Sequence, residues 1–222
     1  MFETLRLIFV ASAGCCGMLL LLSWKKKSCY SNRWLVATLI LVALALITGF
    51  VNNQRISANR KSLESSSLVA AALEDITPVL VSENTYNHIH SDGQEIYKPY
   101  VLVPIEHVYN WEDRSKDSYK VTDGDSCWSG GLFVSAEQAN QCKTILFYTT
   151  SVSEMPYKST SGSITTGKSE SKTVYVYDVD TRSLIDYKAF TTTLPNMTTG
   201  GTPNIKVSTQ QILDWVKKEM EE

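Results

Sequence analysis

Apolar residues run almost unbroken through Leu5–Trp24 and again through Trp34–Val51, with Arg6 the only charge in either. At about 1.5 Å of rise per residue, each run is long enough to cross a hydrocarbon layer of about 30 Å as a helix. Ser12-Ala13-Gly14-Cys15 is similar to a lipoprotein cleavage site, but leucines continue well past it. A secretory signal also has a shorter apolar core and a basic start. The pattern therefore predicts an N-terminal two-helix transmembrane hairpin over residues 1–51, with spans at 5–24 and 34–51 and a basic loop at 25–33.

Beyond Asn52 the periodicity changes twice. In Ile56–Ile76 the residues Leu68, Val69, Ala72, Leu73 and Ile76 recur at helical spacing up to Pro78. This predicts a helical stalk or linker over residues 52–77. From Pro78 onward, Tyr, Val, Ile and Thr alternate with polar residues between turn signals. Strands are expected at Tyr100–Pro104, at Lys143–Val152 and in a hairpin over Ser171–Phe190 that turns at Asp178–Ser183. Lys158–Lys172, rich in Ser, Thr and Gly, reads as an exposed loop, and Leu194–Pro203 is a further breaker cluster. Near the end, Ser208 and Gln211 have capping-box spacing, and Ile212, Leu213, Trp215, Val216 and Met220 form one apolar stripe. The fold class expected is membrane-anchored α+β. An antiparallel β-rich domain over residues 78–222 is closed by an amphipathic helix at 208–222.

Charge changes the picture of location and partners. The first 51 residues hold five basic and one acidic side chains, and the remainder holds 16 basic and 22 acidic. An acidic domain with scattered lysines lacks the clustered positive charge that nucleic acid requires. Neither a dinucleotide nor a Walker phosphate loop is present. The short loop Lys25–Arg33 carries four basic residues, and basic loops tend to stay in the cytoplasm, which places the C-terminal domain outside. Arg6, Arg55, Arg60 and Lys61 flank the spans on the other face and nearly balance that count. Ala13/Gly17 and Ala45/Gly49 lie four apart in the two spans, a spacing that lets helices approach in lipid and self-associate.

Of five cysteines, only Cys127 and Cys142 fall in the domain. Fifteen positions apart, they suggest a disulfide, which would agree with an oxidising compartment. Two free thiols are the alternative. Zinc needs more ligands than this pair offers.

The stretch Thr85–Tyr97, TYNHIHSDGQEIY, carries two histidines and an aspartate in an HxHxD run like that of metallo-hydrolases. Asp92-Gly93 is a strong two-residue hairpin signal. Counting outward from that turn places His90 opposite Glu95 and His88 opposite Tyr97, with Ile89 and Ile96 on the other face. His88, His90 and Glu95 are thus the candidate metal ligands, with His107 the only further histidine. A plain hairpin accounts for the same residues, because the aspartate serves the turn and distant histidines are lacking.

The remaining constellations are simpler. Asp123-Gly124-Asp125 lacks the later ligands of a calcium loop, and Ser129-Gly130-Gly131 is no nucleophile elbow. Glu106, Glu112, Asp113 and Asp117 surround His107 and Trp111, a composition that glycosidases share with ordinary polar loops. Asn196-Met197-Thr198 fits a glycosylation sequon. No cofactor is implied. The expected function is a membrane-anchored extracytoplasmic binding or assembly module, an accessory subunit of a membrane or envelope complex. The alternative is an extracytoplasmic metal-dependent hydrolase using His88, His90 and Glu95.

Overall fold

The computed structural model describes residues 31–82, 96–113, 116–158, 162, 164–193 and 204–221. The first expected span, the HIHSDG stretch with His88, His90 and Glu95, and the Asn196 sequon lie outside the described residues. The chain divides into two compact units, residues 1–58 and 59–222.

The first unit is described from helix α1 (Ser31–Glu64). One helix among the described residues, Val36–Glu64 within α1, is long and apolar enough to cross a membrane. Its apolar side chains point outward: Leu46 is 69% and Phe50 64% exposed. Small Ala45 is buried on another side of the helix.

The second unit is α+β, built on a mixed seven-stranded sheet with helices on both faces. Its strands are β1 (Tyr100–Val108), β2 (Ser118–Val121), β3 (Cys127–Trp128), β4 (Thr144–Lys158), β5 (Ile164–Asp178), β6 (Ser183–Thr191) and β7 (Asn204–Ile205). The principal order is β2-β1-β4-β5-β6, with β3 on β1 and β7 on β5. The sheet is not wholly antiparallel as the alternation suggested. β1 and β4 run parallel over Tyr100–Pro104 and Thr144–Tyr148, and β5–β7 is parallel as well. The link from β1 back to β4 passes through β2, β3 and the short helix α3 (Ala136–Ala139).

Period-two burial divides the sheet. Val101, Val103, Ile105, Ile145, Phe147, Tyr175 and Tyr177 face helix α2 (Ser67–Val81) and bury its Val69, Ala72 and Ile76. Tyr100, Leu102, Leu146, Tyr148, Val174 and Val176 face helix α4 (Thr209–Glu221), burying Ile212 and Val216. From Ser67 onward, the segment expected as a stalk is therefore a layer of the domain. Its apolar stripe packs on the sheet, and Pro78 lies inside the last turn of α2 rather than ending it. Ser66 caps α2 by accepting from the Val69 N–H at 3.2 Å. At α4, Ser208 Oγ accepts from Gln211 N at 3.3 Å and Gln211 Oε1 accepts from Ser208 N at 3.0 Å, the reciprocal box that the spacing predicts.

The β5–β6 hairpin forms as expected, with Asp178 opposite Ser183. Much of the Ser/Thr-rich stretch expected as a loop is instead strand, since β5 already begins at Ile164. The expected Cys127–Cys142 disulfide is not formed. Cys127 is buried in the cluster on the α4 face and Cys142 in the cluster on the α2 face. Thiols buried in two separate core clusters are not placed for the close, specific geometry a disulfide needs. Burial pushes the Cys142 thiol up to about 12, so it stays protonated.

One polar clamp ties α2 to the β5–β6 turn. Asp75 accepts from Tyr177 OH at 2.6 Å, and from Arg182 Nε and Nη2 at 3.0 Å each. The Arg182 guanidinium, and then the Tyr177 hydroxyl, hold the Asp75 carboxyl below its usual range. A depressed folded value contributes stability above the unfolded value near 3.8, and loses it as pH falls through the folded one. The urea midpoint of the wild type is expected to drop on acidification below about pH 4 more than that of Asp75→Asn, in which this titration is absent. Parallel curves for the two proteins would remove the clamp from the acid response.

Candidate functional site

The site is an open groove of about 500 Å³ between α2 and the edge strand β2. Its walls are mainly apolar. Leu63 comes from the end of α1, Val69, Leu73 and Pro78 from α2, and Tyr119 and Val121 from β2. On α2, Leu73 stays only partly buried while Val69 and Ile76 are sealed. Three charges line the groove. Glu64 is held by Arg60 at 3.1 Å, and Lys120 by Glu106 at 2.9 Å. Glu74 is exposed and carries no ion pair among the described residues.

Tyr119 joins the groove to an aromatic row along the end of β1. Its ring stacks on His107, with centroids 5.0 Å apart, and His107 lies 4.0 Å from Tyr109. Tyr109 stacks in turn on Trp111 at 6.0 Å. Trp111 is 93% exposed, which is rare for the largest side chain. His107 Nε2 lies 3.2 Å from Asp117 Oδ2 without the alignment of a hydrogen bond.

The carboxylates expected around this row are mostly committed elsewhere. Asp117 Oδ1 accepts from Asn110 N at 2.6 Å, and the amides of Glu112 and Asp113 both donate to Asn110 Oδ1. That is a locally closed turn. Lys120, by hydrogen bond, with further help from Thr122, lowers the Glu106 carboxyl. A glycosidase acid needs the opposite shift, so Glu106 does not suit that role. Asp123 pairs with Arg60 at 3.1 Å, and Asp125 accepts from Thr209 Oγ1 at 3.0 Å, so this stretch fastens loops together. Ser129 takes a left-handed turn conformation at φ 45° and accepts from Tyr100 N at 3.2 Å.

Among the described residues, the most buried Lys–Glu pair is likewise structural. Lys172 Nζ donates to Val207 O at 3.0 Å, lies 3.4 Å from Glu170, and sits 5.4 Å from the centroid of the Tyr148 ring. It pins the approach to α4. Burial pushes the Tyr148 hydroxyl far up, keeping it neutral as it donates to Asp125 O at 2.9 Å.

Among the described residues no three His, Cys, Asp or Glu side chains converge as a metal-ligand set. His88, His90 and Glu95 lie outside the described residues; Ile96, next in the chain, is buried in the α4-side core. The groove itself was not singled out by the sequence, because its walls come from segments some 50 residues apart. The Tyr119/Val121 alternation was the available signal, and it marks a strand rather than a groove. Comparison with protein-family models, with curated proteins and with solved structures gave no match.

Proposed function

We propose that this protein is a membrane-anchored binding module, an accessory subunit of a membrane or envelope complex, that holds an extended segment of its partner in the α2/β2 groove. The observation that carries the reading is the pairing of an apolar floor with an edge strand. Strand addition draws affinity from main-chain hydrogen bonds and specificity from pockets for alternate side chains. β2 offers an edge whose only strand partner among the described residues is β1. The apolar wall of α2 supplies the pocket, and Glu74 supplies a charge for a lysine or arginine on the incoming segment. A bilayer is the second partner, reached through α1 and, on this reading, the first apolar run. The basic loop Lys25–Arg33 favours placing the domain outside the cytoplasm. Buried thiols suit either compartment and do not bear on that choice.

The test is selection from a random peptide library displayed against the full chain in lipid nanodiscs. Enriched sequences are expected to carry apolar residues at alternate positions with a basic residue between them, and Glu74→Lys should remove the basic preference. A library that enriches nothing, or that responds equally to Glu74→Lys and to Asp214→Lys on α4, counts against the groove. Orientation is read separately in intact cells. An impermeant maleimide is expected to label Asp180→Cys, in the exposed β5–β6 turn, and to spare Cys29. The reverse pattern would put the domain in the cytoplasm.

A further inference from the structure

A second surface, distinct from the groove, lies on the other side of β1. β4 is paired to β1 only over Thr144–Tyr148, yet it continues with β5 to Lys158. Among the described residues, no strand covers its outer edge from Thr149 onward. Proteins usually blunt such an edge with charge or proline. Here Pro156 does so, but only near the tip of the arm. Proline is tolerated in a ladder where its nitrogen faces out of the sheet, so it closes this edge beyond Met155. Thr149–Met155, TTSVSEM, remains open and β-prone, with Glu154 its one charge. The edge of β6 differs, since it carries Asp186 and Lys188.

The open window is symmetric. Tyr148, already paired to Pro104, bounds it on one side and Pro156 on the other, and its midpoint is Val152. We infer that two copies of this chain join by antiparallel pairing of β4 with β4, centred on Val152, to make one continuous sheet across a two-fold axis. In that register every open residue meets an open residue. Val152 faces Val152, Ser151 faces Ser153, Thr150 faces Glu154 and Thr149 faces Met155. A register centred on Glu154 would set two carboxylates against each other and run Pro156 into the ladder. Glu154 is already held by Lys168 of its own hairpin, so closing the edge strands no charge. Val152 is 56% exposed, an apolar side chain that pairing would cover. The seam has seven residues a side, against the five pairs joining β1 to β4. The isologous form, one patch meeting its own copy, is the commonest among oligomers.

The experiment is register-specific cross-linking of the full chain in native membranes, with Cys15 and Cys16 changed to Ala and Cys29 to Ser. Directly opposed residues lie about 4.5–5.5 Å apart between Cα atoms, within disulfide range. Val152→Cys is expected to give a disulfide dimer on mild oxidation, whereas Ile164→Cys, more exposed on the same arm, is not. Thr150→Cys and Glu154→Cys should each stay monomeric alone and cross-link when co-expressed. Adding Val152→Lys, which opposes two ammonium groups, should abolish that mixed cross-link. Equal cross-linking at Val152→Cys and Ile164→Cys, or a dimer that persists without the mixed product, would overturn the inference and leave association to the membrane helices.

Discussion

Phe147→Ala is expected to lower the stability of the second unit by about 3–5 kcal/mol, the range for truncating a fully buried aromatic ring. Phe147 is wholly inaccessible and lies in mid-sheet, opposite Val103 of β1 and Tyr175 of β5. Its ring meets Tyr177 edge to face, with centroids 6.3 Å apart. Loss of the ring removes contacts with both neighbouring strands and with the α2 layer at once, and a rigid sheet cannot close over the gap. Domains are commonly stable by only about 5–15 kcal/mol, so this single change takes a large share. Urea unfolding of the full chain, followed by tryptophan fluorescence, measures it. Phe147→Leu, which keeps most of the volume, should cost distinctly less. Equal midpoints for wild type and Phe147→Ala would mean that the β1–β4–β5 centre is not the core.

The strands that were legible in the sequence are those that pass through this centre. Val174, Tyr175, Val176 and Tyr177 are buried on both faces, and residues that branch at Cβ or carry rings mark them. Pairing partners were legible only where a short turn enforces them, as at Asp178–Ser183. The parallel β1–β4 contact joins residues more than 40 positions apart, with nothing local to announce it. Ser/Thr composition misled over Ile164–Ser171, because an exposed strand needs no apolar face. Its evidence is the partner strand rather than its own side chains. The helix α2 was legible as a helix but not as a layer, since a stripe of Val69, Ala72 and Ile76 says that something is covered and not what covers it.

The site followed the same logic. Histidines and carboxylates stand out in a sequence because they carry chemistry of their own. Of these the structure brings together His107 and Asp117, and it commits Glu106, Asp123 and Asp125 to ion pairs and loop contacts. The groove and the aromatic row are instead lined by apolar and aromatic side chains, Leu73 and Tyr119 partly buried, Tyr109 and Trp111 exposed. Such residues look like ordinary core in a sequence. Only the fold reveals that they line one groove and one row.

The cysteines give the sharpest contrast between a disulfide and two separate thiols. Cys127 and Cys142 sit in different apolar clusters on opposite faces of the sheet, so serine at either position places a hydroxyl in its own core. Each single substitution is expected to cost about 1–3 kcal/mol, the range for burying a hydroxyl short of partners. The double variant should cost the sum within about 0.5 kcal/mol, as independent sites do. A disulfide would behave otherwise. Either substitution alone would break the bond, and the second would add little. Alkylation separates the two cases without mutagenesis: in urea and without reductant both thiols should take up label, whereas in the folded protein Cys142, buried and held protonated, should resist it. Additive costs with free thiols in the unfolded chain would establish that the domain is held by its two cores rather than by a covalent staple. It would then need no oxidising compartment to fold.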